Sequence, residues 1–109
     1  MERVERTLRR LALSDERYLR SALADPGISS DLDAKTQALI RLGALLAIGA
    51  ATVSLRMTVE LAAAAGASDD EIVGVLLAIT PAVGQARVVG VAPHLALALG
   101  YDVELDGTS

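Results

Sequence analysis

Between Ala47 and Ser68 the chain reads AIGAATVSLRMTVELAAAAGAS, a stretch of small and apolar residues that also carries Ser54, Arg56, Thr58 and Glu60. Arg87 and His94 stand in the similarly apolar run that follows. In such surroundings these residue types suit proton transfer on a small organic acid. A guanidinium pairs with a carboxylate through two parallel hydrogen bonds, so Arg56 or Arg87 would hold the substrate's acid group. Ser54 and Thr58, four residues apart on one helix face, would line the pocket. His94 or Glu60 would move the proton. Each residue also has a purely structural reading. Arg56 and Glu60 have the spacing of an ion pair along a helix. Ser54 and Thr58 can bond to carbonyls of the preceding turn. Arg41 and Arg87 would lie at subunit edges, and His94, directly after Pro93, would be exposed or structural.

Other chemistries are excluded by what the chain lacks. It contains no Cys, which removes disulfides, thiolate ligands and thiol nucleophiles. With a single His and no Cys, a transition-metal site is not expected. Asp69, Asp70 and Glu71 read as acids at the start of a helix, not as a cation site. Gly43, Gly49, Gly74, Gly84 and Gly90 sit inside helical patterns and follow no strand, so they form no phosphate-binding loop. Close helix packing is their expected role. No cofactor is expected.

The elements that must position these groups are helices. Val4, Leu8, Leu11, Tyr18 and Ala22 recur at helical spacing over residues 2–24. Ser14-Asp15-Glu16 could cap a second, shorter helix within that span. The Asp25-Pro26-Gly27 turn ends it. Asp33 offers an N-cap for a helix through Ala47 or Ile48, and Gly49 marks a break. The next helix covers about Thr52 to Ala65, with Gly66 just past its end. Ser68 and Glu71 have the spacing of a capping box for a helix to about Ile79. Thr80-Pro81 kinks that helix or starts another with Pro at its first position. Pro93 introduces a further kink or restart, and Gly100 ends the last helix before an acidic tail. The expectation is an all-α, single-domain bundle of about five to six helices. Its parts are an N-terminal helical region (1–31), a main helical domain (32–105) and a tail (106–109).

Composition adds an expectation of self-association. The chain of 109 residues is 52% hydrophobic but only 2% aromatic, so Ala, Leu, Val and Ile must build the core. That is more apolar surface than one small core hides, and large apolar patches are uncommon on monomers. The net charge is −4. The N-terminal arginines alternate with acids, and Glu2/Arg6, Glu5/Arg9 and Glu16/Arg20 have the favourable i,i+4 order. That pattern is a self-paired, solvated face and not a nucleic-acid footprint. The longest uncharged runs, Leu42 to Leu55 and Ile72 to Ala86, fall short of the ~20 residues a spanning helix needs. No nucleic-acid or membrane partner is expected, and a cysteine-free chain without a visible signal segment fits the cytoplasm.

One resemblance unites these features. Leu32, Lys35 and Thr36 open a helix, Ala65-Gly66-Ala67-Ser68 forms a turn, and Glu71, Ile72 and Gly84 follow in a small-residue helix. With the closing APHLALALGYDVE, the order and spacing resemble the carboxymuconolactone decarboxylase family, which includes the alkylhydroperoxidase D-like proteins. The resemblance covers about Leu32 to Glu104. It implies an alkylhydroperoxidase D-like helical fold that assembles as a homo-trimer or homo-hexamer. In the family's peroxidase branch a Glu is followed by Cys-x-x-Cys-x-x-x-His. Those positions fall here on Leu39, Ala51, Ser54 and Thr58. Peroxide reduction needs an attacking thiolate, a resolving thiol and proton carriers, so no dithiol peroxidase is expected. The decarboxylase branch keeps the His, which is Thr58 here. The resemblance implies a lyase-type decarboxylase acting on a small organic acid or lactone in an inter-helix pocket. The alternative is a non-catalytic oligomeric relative with a structural or ligand-binding role. Convergence of Arg56, Thr58, Glu60 and His94 on one concave site would favour the enzyme.

Overall fold

The computed structural model describes residues 2–13, 15–24 and 31–101, and the described residues form six helices and no strand. The expected Ser14 cap, the Asp25-Pro26-Gly27 turn, the side chains of Tyr18 and Ala22, and the acidic tail beyond Tyr101 lie outside the described residues. The chain divides into two compact units, residues 1–31 and 32–109.

The first unit holds α1 (Glu2–Ala12) and α2 (Glu16–Ala24). Acids occupy the first turn of α1 and arginines its last turn, which suits the helix dipole at both ends. Its charges do not pair as their spacing predicts. Glu16 and Arg20 approach to 3.6 Å, but among the described residues no ion pair joins Glu2 to Arg6 or Glu5 to Arg9. Arg3 instead reaches Asp31 at 2.7 Å. Fully exposed pairs gain too little to fix two long side chains. No residue of α1 is buried, and its apolar stripe of Val4, Leu8 and Leu11 stays exposed.

The second unit is a four-helix arrangement of α3 (Ala34–Ile48), α4 (Thr52–Ala64), α5 (Asp69–Val83) and α6 (Gln85–Leu99). Successive helices alternate in direction. Lys35 meets Glu71, and Gly43 lies against Val75 and Ile79, so α3 and α5 run side by side in the same sense. Thr52 meets His94, and Tyr101, just past α6, meets Asp69, the first residue of α5 after the turn that ends α4. These contacts align α4 with α6 in the same way. α3 packs on α4 and α5, α6 packs on α4 and α5, and the pairs α3/α6 and α4/α5 touch only across the diagonals.

Local chemistry sets the ends. The Asp33 carboxylate accepts the Thr36 backbone N–H at 2.7 Å and caps α3. Ser68 and Glu71 form the expected capping box: the Glu71 N–H donates to Ser68 Oγ, and the Ser68 N–H donates to Glu71 Oε1. Lys35 Nζ donates to the other Glu71 oxygen at 2.9 Å and ties the start of α3 to the start of α5. Hydrogen bonds hold the Asp33 and Glu71 carboxyls below the ordinary carboxylate range: Asp33 through the Thr36 backbone, Glu71 first through the Ser68 backbone and then through Lys35. A lowered folded-state pKa stabilises above the unfolded pKa, and that stability is lost as pH falls through the folded value. Acidification below the ordinary carboxylate range therefore lowers the melting temperature. In Lys35→Met the loss on acidification is smaller, because the Lys35 hydrogen bond and charge that help hold Glu71 low are gone. Melts of both proteins at pH steps through that range check this.

Neither proline starts a new helix. α5 runs through Pro81 to Val83, and α6 runs through Pro93 to Leu99. The interruption falls at Gly84, with φ 89° and ψ 160°. A proline costs one N–H and strains the preceding turn, which a helix docked along its length can absorb. A backbone at φ 89° and ψ 160° is open almost only to glycine. Gly84 is thus a hinge point and not a helix-packing residue.

Apart from Thr58, the buried side chains among the described residues are aliphatic. Leu42, Leu46, Leu55 and Ala62 are completely buried, joined by Ile72 and Leu76 from α5 and Val91 and Leu95 from α6. Gly43 admits close approach: a Cβ there would lie 3.3 Å from Val75 Cγ1. Gly74 and Gly90 meet nothing within 4 Å, so they do not bring helices together inside this chain. Each of the four helices also turns an apolar i, i+4, i+8 stripe outward: Ile40-Ala44-Ile48, Val53-Met57-Leu61, Val73-Leu77-Pro81 and Val89-Pro93-Leu97. No helix among the described residues is long and apolar enough to cross a membrane.

Candidate functional site

α4 carries most of the candidate residues, and its geometry separates them. At 3.6 residues per turn, positions two apart point about 200° from one another. Ser54 and Thr58 share one flank of the helix. Arg56 and Glu60 share the other, with Thr52 one turn before Arg56. Thr58 is buried, and its hydroxyl donates to the Ser54 carbonyl at 3.0 Å. That bond satisfies the backbone of the preceding turn and leaves no free O–H for a ligand. Ser54 is exposed. Arg56 and Glu60 are exposed as well, and among the described residues no ion pair joins them.

His94 lies on α6, exposed, with Nδ1 2.8 Å from Thr52 Oγ1. The hydroxyl can donate to the ring or accept from it, according to the tautomer. Thr52 thus fixes His94 beside the flank that bears Arg56. Arg87 stands seven residues before His94, about 10 Å along α6. Its guanidinium covers Gly49, where a Cβ would collide with Nη1. Gly49 closes α3 in the left-handed conformation, φ 73° and ψ 42°, and its N–H donates to Leu45 and Leu46 carbonyls. The fold therefore gathers Thr52, Arg56 and His94 on one side of α4, places Arg87 at the end of α3, and sends Ser54 and Thr58 the opposite way.

Two of the three acids at the start of α5, Asp69 and Glu71, are engaged. Asp69 accepts the Tyr101 hydroxyl at 2.8 Å, which raises the pKa of that phenol because the bond and the nearby negative charge favour the neutral form. Glu71 serves Ser68 and Lys35. Among the described residues no group of three His, Asp or Glu side chains comes together as a metal site.

One cavity in the bundle lies away from all of these groups. A shallow apolar groove of about 380 Å³ runs between α3 and α5, bordered by Leu39, Ile40, Gly43, Ala44, Val75 and Ile79. Thr36 is its polar edge.

The sequence profile of the carboxymuconolactone decarboxylase family matches residues 16–98. The chain belongs to that family. The match begins within α2, well before the Leu32 start that the motifs suggest, and ends just inside the close of α6. No curated protein and no solved structure gave a significant match.

The structure places the four positions onto which the resemblance maps the family's reactive residues. Leu39 borders the α3/α5 groove, Ala51 is the N-cap residue of α4, Ser54 is in its first turn, and Thr58 lies one turn further into the core. Ala51 makes no side-chain cap, and none of the four side chains is ionisable. Sequence reasoning missed three participants. Thr52, Gly49 and the groove are tertiary features: Thr52 meets a partner 42 residues away, and nothing local in the sequence announces that.

Proposed function

We propose that this carboxymuconolactone decarboxylase-family protein is a non-catalytic, self-assembling member, with a structural or ligand-binding role. The observation that carries the reading is the division of α4. Ser54 and Thr58 point away from Arg56 and Glu60, and the Thr58 hydroxyl is committed to the Ser54 carbonyl. An enzyme of this kind lines one pocket with its acid–base groups, its carboxylate clamp and its hydroxyls, and in the subunit the hydroxyls of Ser54 and Thr58 turn away from the side that carries Arg56, Glu60 and His94. The family's reactive positions are occupied by Leu39, Ala51, Ser54 and Thr58, none of which carries a thiol, carboxylate or imidazole. Self-assembly is supported by the outward apolar stripes on all four bundle helices, which a monomer would leave in water. A homo-trimer or homo-hexamer, as the family resemblance implies, would cover them.

A second reading keeps one observation. His94 is held by Thr52 on the side of α4 that carries Arg56. A lyase acting on a small organic acid or lactone would use His94 as the proton carrier and Arg56 as the carboxylate clamp, completed across a subunit contact.

Activity separates these readings, and mass tests the assembly that both require. Light scattering should give a mass several times 11.3 kDa; a clean monomer would overturn the self-assembly. Peroxide reduction with a thiol donor, and decarboxylation of a small carboxylated lactone, should both stay at buffer background. Turnover of the lactone that disappears in His94→Ala would establish the lyase instead.

A further inference from the structure

Gly84 is the whole connection between α5 and α6, and both helices use it. Its N–H donates to the Thr80 carbonyl at the end of α5, and its carbonyl accepts the Val88 N–H at the start of α6. The chain turns back there through the torsions of this one residue, φ 89° and ψ 160°. No atom lies within 4 Å of the place a Cβ would take, so the bend is a matter of two backbone angles and not of packing at the residue itself.

Bringing those two angles to helical values would join α5 and α6 into one helix over residues 69–99. The first turn of α6, Gln85-Ala86-Arg87, contains no proline. Its three N–H groups could therefore bond to the Pro81, Ala82 and Val83 carbonyls in the ordinary i→i−4 pattern. In the bent chain these residues are exposed and no backbone carbonyl accepts from their N–H groups. The straight chain thus gains three backbone hydrogen bonds. What it loses is the packing of α6 on α4, where Val91 and Leu95 join Leu55 in the core. The vacated surface of α4 is complementary to α6 and to nothing else on the page, so a second copy of this chain is the partner that restores the packing.

We propose that α6 is an exchangeable arm: two copies straighten at Gly84, and each lays its α6 on α4 and α5 of the other. Helix direction supports this. In the bent chain α6 runs antiparallel to α5. Two straightened helices lying antiparallel about a two-fold axis at Gly84 set each α6 against the partner subunit's α5 in that same sense. The contacts of α6 are then remade between subunits, and Thr52 meets His94 of the partner subunit instead of its own. The candidate site is built from two chains in that form. The exchange goes beyond the self-assembly proposed above, which uses the outward stripes and needs no straightening.

Two substitutions push the equilibrium in opposite directions. Gly84→Ala strains the bend, which is open almost only to glycine, and favours the helix. It should raise the exchanged fraction at least about tenfold. Gln85→Pro does the reverse. Proline suits the first position of α6, where the N–H has no backbone partner, but it disfavours the α region at the residue before it. It should lower the exchanged fraction at least about tenfold. The cysteine-free chain supplies the readout. Chains carrying Thr52→Cys and chains carrying His94→Cys are mixed at high concentration, held just below the melting temperature, and treated with a short bismaleimide. A covalent dimer of the two should form, increase with Gly84→Ala and fall with Gln85→Pro. Circular dichroism follows helicity throughout. If folded Gly84→Ala yields no covalent dimer, or Gln85→Pro yields as much as the otherwise unaltered chains, α6 stays on its own subunit and the proposal is overturned. If Gly84→Ala does not fold, the comparison of Gln85→Pro with the unaltered chains decides alone. Light scattering on Gln85→Pro measures surface assembly without exchange, so a monomer there would overturn the self-assembly by the stripes while leaving the exchange standing.

Discussion

Replacing Leu55 with Ala should destabilise the protein by about 2–5 kcal/mol. Leu55 sits in the first turn of α4 with no exposed surface, among Leu42, Leu46, Ala62 and the α6 residues Val91 and Leu95. Truncation removes the transfer free energy of the lost carbons and leaves a cavity. Its neighbours have little with which to fill that cavity, because the core contains no aromatic or Met side chain that could swing in. Against a total stability of roughly 5–15 kcal/mol, this is among the largest losses a single substitution can cause here. Urea unfolding followed by circular dichroism would measure it. Ser54→Ala, one position away and exposed, is the control and should stay within about 0.5 kcal/mol. The bond on that side of α4 uses the Ser54 carbonyl and the Thr58 hydroxyl, and both survive the change. A large effect of Ser54→Ala would mean that its hydroxyl has a partner in the assembly.

The contrast between Leu55 and its neighbours shows what is legible in this sequence. Helix starts are set by side chains three residues apart, so Asp33 with Thr36 and Ser68 with Glu71 can be read directly, and both caps are present. Helix interruptions are harder. Pro81 and Pro93 look like breaks because proline disfavours a helix in isolation, yet packing carries α5 and α6 through them. The actual break is Gly84, whose unusual dihedrals come from the turn between two packed helices and not from its neighbours in sequence. Spacing alone also misleads for surface charges. Glu5 and Arg9 have the same i,i+4 order as Glu16 and Arg20, but only the second pair comes within 4 Å. For the candidate site, position 58 illustrates the limit. That Thr58 would bond to the preceding turn is one of two readings open to a helical Thr. Choosing between them needs its burial, which depends on which side of α4 faces α3 and α6. The partnership of Thr52 with His94, and of Gly49 with Arg87, depends on α6 lying along α4 and past the end of α3.

That last partnership yields the second large expected effect and decides what Arg87 is for. Gly49→Ala should destabilise the protein by about 1–2 kcal/mol through its backbone alone, since φ 73° and ψ 42° place a Cβ against the following carbonyl. In a domain of this size that is a fall in melting temperature of very roughly 5–15 °C. The new Cβ also enters the space of the Arg87 guanidinium, which lies with Cζ 3.2 Å from that position. The guanidinium is the far end of a flexible side chain, so it can retreat, and the steric share of the loss should be the smaller one. The two parts separate in a double-mutant cycle. Arg87→Ala alone should change stability little, because Arg87 is exposed. Combined with Gly49→Ala it should return the steric share and leave the backbone share untouched. If Arg87→Ala is itself strongly destabilising, the arginine is a cap for the end of α3, where a cation favours the negative end of the helix dipole, and its candidacy as a carboxylate clamp falls. If it leaves stability unchanged but abolishes binding of a small dicarboxylic acid measured by calorimetry, Arg87 belongs to a ligand site and the lyase reading gains its second cation. The geometry favours a modest form of the first role: a guanidinium seated over the left-handed glycine that closes α3 meets the negative end of that helix's dipole, worth about 0.3–1 kcal/mol at an exposed site.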